Sequence, residues 1–380
     1  MQRTIRHIIL FLAPVFLAGG CIEPYYPELD RYEDVLVIDG TFTNIDEDRY
    51  VNITRTYGYY DVKGTEETGA VVMVRSEDGI TATYTEKSPG TYVLPAGSME
   101  GEIGKEYQLL IETSDGSQYT SSYQALKKPS GIDSVYYEKE EIMRIADSPL
   151  NGLQVYVDGS DPENETHYYQ WEFTETWEFS VAFQKPGYDN KYTCWRSNDS
   201  KAIIIASTTQ LTEDVAYRQP LNFISTENPR LSRMYSMNVR QLSLPQEAYD
   251  FWRKLELANE HAGSLFDPPP TPVIGNIENI EDPEEPVLGY FRVAGASEKR
   301  IFISRNEIPA DLSPATGNEH CEYLEVVGEG IDELQHGWYL ITRFTYMDLL
   351  WTALSSHVDC YDCTQKGTNI KPEFWIDPDE

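Results

Sequence analysis

The chain has 380 residues, with 63 Asp and Glu against 30 Lys and Arg, a formal charge of −33, and 27 tyrosines. Such acidity excludes nucleic acid as a partner, because its phosphates would be repelled rather than neutralised, and it discourages close contact with anionic lipid headgroups. An aromatic share of 12% excludes wholesale disorder, and the length suffices for two domains.

The first twenty residues have a basic start (Arg3, Arg6), an apolar run from Ile8 to Leu17, and then Ala18-Gly19-Gly20 before Cys21. This is the layout of a bacterial lipoprotein signal peptide (1–20), with Cys21 as the lipidated residue. The run is too short for a transmembrane helix, which needs roughly 20 apolar residues. A plain secretory peptide would leave Cys21 as a stray thiol. Residues 21–34, with two prolines and no apolar period, are expected to form a tether.

Short runs rich in Val, Tyr and Thr follow, divided by Gly, Asp and Pro. They include Val35–Phe42, Tyr50–Thr54, Ala70–Arg75, Ile80–Thr85, Gly90–Leu94, Glu106–Glu112 and Gln118–Tyr123. About seven such strands predict an immunoglobulin-like β-sandwich over 35–128. The polar stretch Lys127–Gly131 marks a boundary, and 132–380 is expected to form a larger β-rich domain. Its predicted strands are Asp133–Tyr137, Leu153–Val157, Tyr168–Thr174, Trp177–Phe183, Lys201–Ala206, Met234–Leu242, Val287–Val293 and Lys299–Ser304. The fold class is therefore all-β.

One amphipathic helix interrupts the second region near 244–262. Ser243 is its expected cap, Pro245 sits in its first turn, and Ala248, Phe251, Trp252, Leu255 and Ala258 share a face expected to be a packing face. Residues 264–286 contain six prolines. Their interspersed Phe266, Val273, Ile274, Ile277 and Ile280 predict an ordered belt against the body.

With Cys21 set aside, Cys194, Cys321, Cys360 and Cys363 remain. An even number in an exported chain favours two disulfides. A bridge between Cys360 and Cys363 would close a tiny loop, so bridges back to Cys321 and Cys194 are expected, because longer loops stabilise more. Zinc is the competing reading, given the Cys360-x-x-Cys363 spacing and His320 and His357 nearby. A redox-active pair is a third.

No nucleophile elbow, His-Glu-x-x-His pair or phosphate loop is present. Abundant acids make any paired-carboxylate reading uninformative. Asp158, Asp161 and Glu163 offer oxygen ligands for calcium, against a solvated hairpin loop as the plainer reading. Tyr169, Trp171 and Trp177 offer a sugar-stacking platform, although alternation puts Tyr169 and Trp171 on one strand face, so part of the group is core.

The order "QEAYDFWRKL … GSLFDPPPTPVIGNIENIEDPEEPVLGYFRVAGASEKRIFI", followed by "CYDCTQKGTNIKPEFW", with "VLVIDGTFTN" and "GIDSVYYE" upstream, resembles a family of Bacteroidota lipoproteins. That family carries a domain-of-unknown-function label, and its genes commonly lie beside TonB-dependent outer-membrane receptors. The resemblance implies a lipid-anchored outer-membrane protein, expected at the cell surface, that partners such a receptor. It supplies no catalytic residue, cofactor or substrate. The expected function is non-enzymatic, aiding substrate capture or uptake. A structural or assembly lipoprotein binding other envelope proteins is the alternative, and a hydrolase comes third.

Overall fold

A computed structural model of the chain describes residues 34–56, 64–144, 148–261, 273–328 and 337–376. The signal peptide, Cys21, all of the tether but Asp34, and Phe266 of the belt lie outside the described residues. No described helix is long and apolar enough to cross a membrane.

The first part of the chain forms β1 (Leu36–Thr43), β2 (Arg49–Arg55), β3 (Val71–Ser76), β4 (Thr81–Thr83), β5 (Thr85–Ser88), β6 (Thr91–Leu94), β7 (Glu106–Glu112), β8 (Gln118–Ser121) and β9 (Gln124–Ala125). Then come β10 (Gly131–Met143), β11 (Pro149–Ser160), β12 (Tyr168–Ser180), β13 (Thr193–Asp199), β14 (Ile204–Ser207), β15 (Val215–Ser225) and β16 (Met234–Ser243). Helix α1 (Gln246–His261) is followed by β17 (Ile277–Asn279), β18 (Val287–Ser304), β19 (Tyr323–Val327), β20 (Tyr339–Tyr346) and β21 (Leu349–Ser355). The class is all-β, as expected from the composition. In β1 the period-two rule is visible directly: Leu36, Ile38, Gly40 and Phe42 are buried while Val37, Asp39 and Thr41 are not.

The strands assemble around β18. Its first half pairs in parallel with β1, from Leu36 opposite Val287 to Thr43 opposite Ala294. Its second half pairs antiparallel with β16, from Gly295 opposite Ser243 to Ser304 opposite Met234. One sheet of nine described strands therefore runs β13-β12-β16-β18-β1-β2-β6-β5, with β14 also on β12. A second sheet, β17-β8-β7-β3-β4, closes a core with β1, β2, β6 and the start of β18 through Leu36, Phe42, Tyr107, Leu109 and Phe291. A third, β10-β11-β15, closes a separate core over β12 and β16 through Val155, Trp171, Tyr235 and Val239. The molecule is thus two sandwiches that share a sheet.

That sharing alters the expected division at residue 128. The first sandwich is completed by β17 and half of β18, both far beyond the boundary. Likewise, Val287–Val293 and Lys299–Ser304 were expected as two strands and are one, and so were Tyr168–Thr174 and Trp177–Phe183, joined as β12. The small residues Ala294–Ala296 in the one and the polar Glu175-Thr176 in the other gave the appearance of a break. Of the belt, Ile277 is buried in β17 and Val273 packs under α1, whereas Ile274 and Ile280 are exposed.

Helix α1 presents Ala248 and Phe251, with Trp252 and Leu255, to Tyr290, Ala294 and Leu242. Ser243 is not its cap. It is the last residue of β16, and its hydroxyl accepts the Ser130 N–H at 3.0 Å. The linker took the hydroxyl that capping would have used.

Arg292 pins the seam on the outer face. Its side chain is 5% exposed, donates to Thr41 at 2.8 Å, to Glu172 at 2.6 Å and to Gln170, and lies 5.3 Å from the Trp252 ring centre. Asp39 lies beside it, and among the described residues its carboxylate makes no hydrogen bond. The side chain keeps an edge in solvent, but the protein packed around it strips part of its water and raises its pKa above 3.8, against the pull of Arg292. A raised carboxylate favours the neutral form in the fold, so stability falls as pH climbs from below 3.8 through the folded pKa. Asp39→Asn is expected to melt at a higher temperature than the parent at pH 7 and at the same temperature at pH 3. A lower melting temperature at pH 7 would refute this.

Candidate functional site

At the far end of the second sandwich, a cavity of about 440 Å3 opens between β12, β13 and three loops. This volume falls within the range of small-molecule sites. Trp177 forms part of its floor and is 8% exposed. Arg196 is directly opposite it on β13, the neighbour set by the strand register. The Arg196 guanidinium lies 5.7 Å from the Trp177 ring centre, and Arg230, from the turn Pro229–Leu231, lies 5.2 Å from it. Both distances are within cation–π range.

The two arginines differ in their anchoring. Arg230 is ion-paired at 2.7 Å with Glu175, whose side chain is 2% exposed. Glu175 also accepts from Tyr235 at 3.0 Å and Asn198 at 3.2 Å. Burial and the Glu175 charge push Tyr235 well above the usual phenol range, so it remains a donor. Arg196 is exposed and has no carboxylate partner among the described residues. Asn228 Oδ1 accepts the Arg230 N–H at 3.1 Å and fixes that turn. On the opposite wall Asp359 bonds Lys366 at 2.6 Å and His320 at 3.1 Å. Burial opposes its ionisation, but these two partners prevail and its pKa is lowered.

Two disulfides hold the walls. Cys194–Cys363 ties β13 to the turn leading to Lys366, across 169 residues. Cys321–Cys360 ties the loop after Asn318 to the turn carrying Asp359, across 39 residues. Each of these pocket residues lies within three positions of a cysteine: Arg196, Asn318, Asp359 and Lys366. None was singled out from sequence, yet that proximity was a usable signal, since cross-linked segments converge in space.

The remaining sequence candidates fare differently. Tyr169 and Trp171 are fully buried and cannot form an exposed platform. Tyr169 donates to Thr166 O and Asp214 at 2.8 Å, and Trp171 donates to Gln241 at 2.8 Å. They are core residues with their polar ends satisfied internally. Trp177 does line a cavity, but guanidinium groups sit over its ring.

The calcium candidates do not converge either. Asp161 accepts backbone N–H groups of Glu163, Glu165 and Thr166, which makes it the organiser of its own loop. Asp158 accepts from Arg218 N and Ser134, and Glu163 pairs with Lys128. Among the described residues, the trio with ligand atoms close enough for a metal is His320, Cys321 and Cys360. Its two sulfurs are bonded to each other, so they offer no thiolate. Cys360 and Cys363 pair with different partners, which removes the redox-pair reading as well.

A family model described as a domain of unknown function, DUF4249, matches residues 22–300. The match ends inside β18, so the Cys321–Cys360 bridge and Cys363 lie beyond it. No curated protein matches the chain. Among solved structures, the BSP domain of a biofilm associated protein is similar at a TM-score of 0.12 and 6% identity, over 73% of this chain. The chain spans 62% of the length of that structure. A likeness this slight carries no inference about fold or function.

Proposed function

We propose that this chain, which belongs to the DUF4249 family of domains of unknown function, works as a non-enzymatic lipoprotein accessory to a TonB-dependent outer-membrane receptor. In this reading Cys21 carries the lipid, the body stands at the cell surface, and the pocket captures a solute for the receptor beside it. The observation that carries the binding part is the cavity on Trp177, whose walls are cross-linked in advance by two disulfides. Pre-organised walls lower the ordering cost of binding. The receptor and the anchor rest on the leader sequence and on the resemblance in the motifs. A lipid anchor confines the binder beside its channel and raises its effective concentration there.

The alternative, a structural or assembly lipoprotein, is favoured by the tip of the β20–β21 hairpin. Phe344, Tyr346, Met347, Leu349 and Leu350 are all exposed there, an apolar group of the kind found at protein contacts.

Affinity purification from the native membrane tests the first reading. A stable complex with a TonB-dependent receptor is expected, and recovery without any receptor would overturn it. Loss of envelope integrity on deletion, with uptake intact, would favour the second. Cys21→Ser is expected to release the protein to the soluble fraction, and membrane retention would refute the anchor.

A further inference from the structure

We infer that the pocket over Trp177 takes a carboxylate-bearing, hydroxyl-rich ligand, the chemistry of an acidic sugar, with Arg196 as the carboxylate contact. The inference rests on the capture reading for its biological sense and adds the ligand class to it.

The charge of the site argues for an anion. The chain as a whole is strongly acidic, yet three cations, Arg196, Arg230 and Lys366, line this cavity with a single acid, Asp359. Arg230 and Lys366 are neutralised by Glu175 and Asp359, as described above. Arg196 is left with its charge unmatched. Its planar fork fits a carboxylate in two-point geometry, and the Trp177 ring beneath it limits the orientations it must give up on binding. In a molecule this acidic, an anion would be repelled from most of the surface, so a local cationic pocket also imposes selectivity.

The uncharged lining argues for hydroxyl groups on the rest of the ligand. Asn198 donates its side-chain N–H to Glu175, and Asn318 donates its own to Ser180 O at 3.0 Å. Each donation leaves the amide carbonyl available to accept from a ligand hydroxyl. Ser180 Oγ, in the same wall, is buried and has no hydrogen-bond partner among the described residues. An orphaned buried hydroxyl costs free energy that a polar group of the ligand would recover on reaching it through a small shift of the wall.

Titration calorimetry of the full lipoprotein in detergent tests this, using sodium glucuronate and glucose as probes at low salt. Saturable glucuronate binding with Kd at or below about 1 mM is expected, with glucose at least about tenfold weaker. Arg196→Gln, at an exposed position, should leave the melting temperature unchanged and weaken glucuronate about tenfold or more. Equal binding of the two sugars, no glucuronate binding, or an unaffected Arg196→Gln protein would each overturn the inference. The transporter reading fails separately. Glucuronate binding without a co-purifying receptor would remove that reading and leave the anion site standing, whereas a co-purifying receptor with no glucuronate binding would remove the anion site alone.

Discussion

Gly295→Ala is expected to destabilise the protein by about 3 kcal/mol or more, enough to cut its folded yield severely. Gly295 is where β18 leaves β1 and takes up β16. The linker between the sandwiches crosses directly over it. A Cβ there would stand 2.2 Å from Lys127 O, 2.6 Å from Pro129 N and 2.8 Å from Lys128 C. These are backbone atoms and cannot swing aside as a side chain tip does. They are also held fast on the far side, since Ser130 is 4% exposed and tied to Ser243, Gln241 and Ser297. Equilibrium urea unfolding measures the loss. A variant within about 1 kcal/mol of the parent would show that the linker can lift away, and the two sandwiches would then be less firmly joined than the contacts indicate.

The second large effect is expected on removing the longer cross-link. Cys194→Ala with Cys363→Ala opens a loop spanning 169 residues, and the chain-entropy argument sets its contribution at about 5 kcal/mol. The same argument gives about 4 kcal/mol for the Cys321–Cys360 loop of 39 residues. Observed losses run from about 2 to 5 kcal/mol, so the doubly substituted chain should fold, melt well below the parent, and lose the pocket before the rest. Hydrogen exchange would show this as early opening of β13 and of residues 359–366 while β16 and β18 stay protected. Uniform opening would contradict it.

The class and most of the strands were legible because alternation is a local property. Glu106–Glu112 matched the strand end to end, and β1, β2 and β16 differed by a residue or so. Partner choice was not legible. Nothing local to Val287–Ser304 says that its first half belongs beside a strand 250 residues earlier. One missed strand, Thr193–Asp199, had little alternation to read, since its Arg196, Ser197, Asn198 and Asp199 are all exposed at an edge, whereas Tyr339–Tyr346 was missed despite a strand-like sequence. The helix was found by its stripe, but its cap was misassigned because Ser243 had a competing tertiary partner. In the pocket, the cysteines and Trp177 stood out as residue types. Arg196 and Arg230 did not, because an arginine is ordinary until its neighbours are known.

The position of β1 has a mechanical consequence. It follows directly on residue 35, so whatever holds the chain at its N-terminal side pulls along this strand. β1 is an interior strand, bordered in parallel by β18 over eight residue pairs and antiparallel by β2 over five. A force along its axis loads both ladders in shear, where many bonds must yield together, rather than unzipping them one at a time. Because β18 continues into the second sandwich, the load passes through one covalent strand to the half that carries the pocket. If the capture reading proposed above holds, drag on a bound ligand and a pull from the N-terminal side would therefore meet along a single line of backbone.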